Sequence, residues 1–382
     1  MGQGKAGGGG GAGRVPKASI RKFSSSDRTR ARATLAVPTD DGLDVFTSSQ
    51  WAIETQRSIG QVLGVPDNTV NVSVKRIGGG FGGKITRGNI IAAATCLAAR
   101  KMRKPVRTVL DMATCMTMLG GRDPFWSTYK VGVDAEGRLQ AVQATMTSNA
   151  GYVNVDPNNT VSPPSVPSCY NCPNWEITPV TVLTNTPNNT WTRTPGGEKA
   201  WTIIEHVAVA LNLDPLLVRQ RNLMSDGSFR RISEGVFRLR CGRGGQNAIA
   251  IPKQVKVERN IIGDMLTQLM SSADVENRKQ MVDNFNKNHL WKKKGISVMT
   301  MLWPHVIPLV YPMNSLVSIN QRDGTVAVSH GGTELGQGMN TKAVQVVAYE
   351  LGCPMEVVVV KPTTSHANAN SRARTALAGP TS

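Results

Sequence analysis

Residues 75–87 read KRIGGGFGGKITR, five glycines around one phenylalanine with a lysine closing the run. Glycine at this density brings backbone N–H groups close to a ligand, and three chemistries are compatible with it. A phosphate-cradling P-loop requires G-x-x-x-x-G-K-[ST]; Gly78, Gly83 and Lys84 fit it, but Ile85 stands where the magnesium-binding hydroxyl belongs. Thr86 comes one residue late and would point about 100° away on a helix. A dinucleotide fingerprint, G-x-G-x-x-G, is met by Gly78, Gly80 and Gly83. It expects an acidic residue ~20 positions on, and the nearest at a strand end, Asp111, follows Gly83 by 28. The third possibility is a cofactor other than a nucleotide, held by the same close backbone.

Two more glycine-rich stretches bear on the choice. HGGTELGQGMNTK (330–342) places Gln337 between glycines before a helical pattern, and TWTRTPGG (190–197) carries Arg193 just before another. Backbone N–H groups at helix starts, an amide and a guanidinium form a set suited to a polar, partly anionic ligand such as a pterin phosphate. The bland reading of each glycine is a tight turn with close helix–sheet packing. His206 reads as a packed helical histidine, and Asn340 and Thr341 read as helix-capping groups.

The elements that must position these loops follow from periodicity. Residues 49–66 have helical spacing and end at Gly64 and Pro66; 71–77 alternate like a strand and run into the first glycine loop; 86–102 are an alanine-rich helix. The segment 106–112 reads as a buried strand, and strand patterns recur around 126–134 and 139–148. A Pro/Asn-rich loop covers 156–175, with helices over 197–212 and 214–222, the second opening on an Asp214 N-cap and Pro215. Residues 259–289 are helical, 295–302 and 325–329 are strands, and 341–352 form a helix ended by Gly352. The fold class expected is α+β, a mixed α/β chain.

Composition narrows the function further. The net charge of +18 over 382 residues invites a nucleic-acid reading, but eight Lys/Arg against one Asp fall in the Gly/Ser-rich first 32 residues. Only 5% of residues are aromatic, with no basic–aromatic interleaving to stack bases, so no specific nucleic-acid partner is expected. No apolar run approaches the ~20 residues of a membrane span, and no charged-then-apolar leader opens the chain, so no membrane partner is expected either. Six cysteines, with Cys169 and Cys172 as a lone C-x-x-C, point to a reducing, cytoplasmic setting and not to zinc.

Taken in order, SSQW (48–51), TQRSIGQVLGVP (55–66), VKRIGGGFGGK (74–84), GGRDPF (120–125), YKVGV (129–133) and GGTELGQG-x-x-TK (331–342) resemble the molybdenum-binding region of the xanthine dehydrogenase and aldehyde oxidase family. The likeness covers roughly residues 36–365 and is nearest to arthropod-type aldehyde oxidases through GGKITR, W-x-R-x-P-G and DGTV. It implies the family's molybdenum-cofactor-binding domains in incomplete form. Residues 1–32 would be a disordered basic tail, 33–225 a first molybdopterin-binding region, 226–290 a connecting helical segment, and 291–382 the truncated start of a second.

The resemblance also implies roles. Gly80, Phe81 and Gly82 would lie against a molybdenum-molybdopterin cofactor, Phe81 and Arg193 near the metal without ligating it, and Leu335, Gly336 and Gln337 against the pterin. Glu334 would be supporting structure. The reaction would be hydroxylation with oxygen from water, electrons leaving through 2Fe-2S clusters to FAD, whose domains this chain lacks. No catalytic residue is assigned, because the family's base glutamate falls beyond residue 382, and its glutamine near the metal has no counterpart upstream of LAVPT (35–39). The family assembles as a homodimer. Substrate class is read at Ile85 and Pro195, substrate-pocket positions where xanthine-type members carry a purine-binding glutamate and an aromatic clamp. Val161 aligns where they have an arginine. An aldehyde is thus expected over a purine or other N-heterocycle; the alternative is a non-catalytic fragment of the family.

Overall fold

The computed structural model describes residues 32–154, 162–163, 165–190, 192, 196, 198–227, 229–231, 254–256, 259–302 and 314–369. Its first layer pair is built on short alternating strands. β1 (Ala33–Pro38) and β2 (Leu43–Thr47) form a hairpin, β3 (Val70–Val74) lies parallel to β2, and β4 (Val106–Val109) flanks β1. Helix α1 (Ala52–Leu63) buries Ala52, Thr55, Ile59 and Gly60, one face at helical spacing. Helix α2 (Asn89–Met102) buries Ile91, Ala92, Thr95, Cys96 and Ala99. Both cover the sheet over a core that includes Val45, Val70, Val72 and Val74. Each such valine removed from water contributes about 1.5–3 kcal/mol.

A second core joins β5 (Phe125–Val133), β6 (Leu139–Asn149) and β7 (Asn174–Val182) to α4 (Glu198–Leu211) and α5 (Pro215–Arg221), the short helix α3 (Met112–Met118) lying before it. The Asp214 carboxylate accepts the Leu216 N–H at 2.6 Å with Pro215 in the first turn, the cap its sequence predicts. Beyond the short ribbon of β8 (Phe229–Arg231) and β9 (Gln254–Lys256), the predicted helical stretch is two helices, α6 (Ile262–Ser272) and α7 (Val275–Asn288), broken at a left-handed Asp274. A third sheet, β10 (Ser315–Ile319), β11 (Val326–His330) and β12 (Val358–Val360), packs on α8 (Met339–Leu351). No single helix among the described residues is long and apolar enough to cross a membrane.

Three sequence expectations need correction. The segment 106–112 is not a buried strand: β4 sits at the sheet edge and alternates between half-buried and exposed. Residues 295–302 pair with no strand among the described residues; Thr300 holds them by hydrogen bonds with Tyr170 and Trp201, where a ladder was expected. Helix α8 is not capped by Asn340 or Thr341: its N-cap is Gly338, and the capping carboxylate is Glu334.

The first and third units share a sheet. β13 (Thr363–Thr364) returns from the third unit and pairs antiparallel with β3. Ser365 continues the seam, donating from its N–H to Val72 O at 2.8 Å and accepting the Val72 N–H on its hydroxyl at 2.9 Å.

Candidate functional site

Strand β3 delivers the chain into the first glycine loop, which folds as successive tight turns. Gly83 N–H donates to Gly80 O at 2.9 Å and Ile85 N–H to Gly82 O at 3.2 Å. Phe81 stands at φ 48°, a left-handed conformation that costs a side-chain-bearing residue about 1–2 kcal/mol. The residue is 48% exposed. An aromatic held outward on strained backbone is a common mark of a functional loop.

Gln50 organises this loop from beneath, and the sequence reading missed it. Its Oε1 accepts the N–H groups of Gly82 (3.0 Å) and Lys84 (3.2 Å), and its own N–H donates to Lys84 O (2.8 Å). Arg32 donates to Gly83 O. Gly80 passes so close that a Cβ there would lie 2.5 Å from the Gln50 carboxamide. Gln50 is buried, yet its Nε2 finds no hydrogen-bond partner among the described residues. Leaving such a donor unpaired costs about 1–3 kcal/mol, so a ligand atom that accepts from it is favoured there. The sole signal in the sequence was its place in SSQW.

The second loop meets the first through main chain. Ile77 N–H donates to Glu334 O at 3.0 Å and Gly79 N–H to Leu335 O at 3.2 Å. Leu335 also packs its side chain on the first core. Within the loop, Gln337 Oε1 accepts the Leu335 N–H and its Nε2 donates to Thr333 O, so its amide shapes its own loop. Burial alone would raise the Glu334 pKa. Bonds from the N–H groups of Asn340, Gly336 and Gly338 outweigh it, with Arg76 assisting, and the carboxyl is held below its ordinary value. Beside the junction opens a cleft of about 360 Å³ whose lining includes Ser48, Lys75, Arg76 and Ile77.

The predicted site residues divide as follows. The loop that carries Gly80, Phe81 and Gly82 docks through Ile77 and Gly79 on Glu334 and Leu335, in the loop that also carries Gly336 and Gln337. Ile85 is buried, 2% exposed, behind the first loop. Arg193, Pro195 and Val161 lie outside the described residues. Two flanks of these loops are packed closely: a Cβ at Gly196 would lie 2.1 Å from Ser162 O, and Thr190 forms an isolated β-bridge with Arg122. His206 is half-buried, hydrogen-bonded through Nδ1 to Tyr129 and stacked on its ring, which packs against the second core. Cys169 and Cys172 are buried free thiols whose pKa burial pushes up. Among the described residues no three His, Cys, Asp or Glu gather to hold a metal ion. A metal carried on its own organic ligand needs no such cluster, and the orphan Gln50 donor, the Gly80 close approach and the outward Phe81 fit that kind of group.

Comparison with known proteins gives the same picture. Two molybdopterin cofactor-binding domain families match, one over residues 31–223 and the other over 268–377. Xanthine dehydrogenase/oxidase of Felis catus is 34% identical over 352 residues, 88% of this chain and 24% of the cat protein. Nicotinate hydroxylase of Emericella nidulans is 34% identical over 358 residues, covering 91% and 25%. Indole-3-acetaldehyde oxidase of Zea mays is 34% identical over 339 residues, covering 85% and 23%. The chain thus spans about a quarter of the length of these relatives. Among solved structures, quinoline 2-oxidoreductase of Pseudomonas putida superposes with a TM-score of 0.64 at 18% identity, covering 95% of this chain and 46% of that one.

Proposed function

Because the chain belongs to the molybdenum hydroxylase family, with its molybdopterin cofactor-binding domains and mixed α/β fold, we propose that it is the cofactor-binding portion of an oxidoreductase that converts aldehydes to carboxylic acids with water as oxygen source. The observation that carries the reading is the junction of the two glycine loops, Ile77 to Glu334 and Gly79 to Leu335, over the unpaired Nε2 of Gln50. Molybdopterin with its metal supplies, when bound, the two-electron oxidation that accompanies transfer of a water oxygen to carbon. The chain's own residues bind and orient. Gln50 offers a buried donor, Phe81 an aromatic wall, and Lys75 and Arg76 positive potential in the neighbouring cleft. In a longer assembly, iron–sulfur and FAD modules would take up the electrons.

Aldehyde is favoured over purine by Ile85. An isoleucine makes no hydrogen bond to a heterocycle, and a site lacking that bond forgoes the discrimination of about 10⁴–10⁵ that such bonds confer. The relatives named for xanthine, nicotinate and an aldehyde are equally identical, so identity does not choose among them. The experiment is dye reduction by the cofactor-loaded protein in its full assembly, with aliphatic and aromatic aldehydes against xanthine. Aldehyde-dependent turnover with none on xanthine supports the reading; the reverse overturns the substrate class.

A further inference from the structure

One carboxylate touches the geometry of both loops. Glu334 Oε1 accepts the N–H groups of Gly336 at 2.8 Å and Gly338 at 3.2 Å, and Oε2 accepts that of Asn340 at 2.9 Å. Gly336 and Gly338 stand at φ 107° and 78°, the turned-back backbone that lets two N–H groups converge on one oxygen. The same residue faces the other loop with its main chain. Its carbonyl accepts from Ile77 and the next carbonyl, of Leu335, accepts from Gly79. Arg76, one residue before Ile77, acts electrostatically on the carboxylate from the first unit.

We propose that Glu334 is a positioning residue for the whole cofactor seat. By fixing loop 331–338, its carboxylate aligns the two carbonyls on which loop 77–84 docks, and so places Phe81 and the glycines it does not itself touch. A helix cap would act on Gly338 and Asn340 alone; the distinguishing feature here is that the capped residue is also the docking residue. The inference rests on the reading that both loops hold the pterin, but its geometry can be tested without cofactor.

The test is amide hydrogen exchange on the full chain, comparing wild type with Glu334→Gln and Glu334→Asp. Glu334→Gln keeps shape but puts an N–H₂ where one carboxylate oxygen accepted. Exchange at Ile77 and Gly79 rises about tenfold, together with Gly336 and Gly338, while β11 keeps its protection. Glu334→Asp, which keeps the charge, recovers part of the protection. A rise confined to residues 336–340 overturns the proposal, because the carboxylate is then only a cap. An even rise through β11 and α8 overturns it too, because the effect is then general destabilisation. Molybdenum retained by wild type but lost from Glu334→Gln links the loops to the cofactor; wild type holding no molybdenum would refute the cofactor reading while exchange still decides the loop coupling.

Discussion

Gly80 has no room for a methyl group, and adding one strains the seat at a known contact. A Cβ at Gly80 would lie 2.5 Å from Gln50 Cδ and Oε1 and 2.8 Å from its Cγ. In Gly80→Ala the Gln50 side chain must swing away, releasing the N–H groups of Gly82 and Lys84 from Oε1. Each released bond costs about 1–3 kcal/mol where the donor stays buried, and both residues are buried. Gly80 is not among the left-handed glycines, so alanine regains about 0.4–1 kcal/mol by restricting the unfolded chain. The net expectation is a loss of about 1–5 kcal/mol. Denaturant unfolding of the chain measures it, with Gly88→Ala as control. That residue is the N-cap of α2 with αR backbone angles, φ −75° and ψ −19°, that alanine adopts without strain, and a built Cβ meets only Ser48 O at 3.7 Å, so alanine there costs little or is mildly stabilising. In a Gln50→Ala background, Gly80→Ala should cost much less, a coupling of about 1–2 kcal/mol. A Gly80→Ala effect below about 0.5 kcal/mol, or strict additivity with Gln50→Ala, refutes the claim that Gln50 grips this loop.

Phe81→Gly should relieve the left-handed strain and unfold at about 1 kcal/mol higher free energy than Phe81→Ala, measured in the same titration. Both lose the exposed ring, so both should hold molybdopterin less tightly, read from pterin fluorescence. Glu334 makes stability depend on pH. Its folded pKa is held below the ordinary glutamate value, so its contribution is present above the unfolded value and is lost as pH falls through the folded one. The stability gap between wild type and Glu334→Gln should accordingly close on acidification below about pH 4; a gap constant from pH 7 to 3 contradicts the carboxylate bonds.

Much of the architecture was legible because its cause is local. Helical spacing located α1, α2 and α8, and Asp214–Pro215 announced α5 with its cap in place. The family and its cofactor were legible in the glycine loops themselves. What joins those loops was not: Ile77 and Glu334 pair through main chain, which has no side-chain signature. Gln50 escaped notice for a related reason. A lone glutamine, 32 positions before Gly82, acquires meaning only when folding brings its carboxamide beneath that glycine. Residues 295–302 were expected to form a strand, yet Thr300 is held by Tyr170 and Trp201 from other elements, a tertiary choice that local sequence does not record. β13 is two residues long and forms only because β3 offers it an edge.

The central claim is that the junction of the two glycine loops seats a molybdopterin. The most direct measurement is the molybdenum and pterin content of the purified full chain, produced in a host that makes the cofactor and in one that does not. The account predicts co-purifying molybdenum and pterin from the first host only, lowered by Gln50→Ala and by Gly80→Ala. Equal, background-level molybdenum and pterin from both hosts would contradict it.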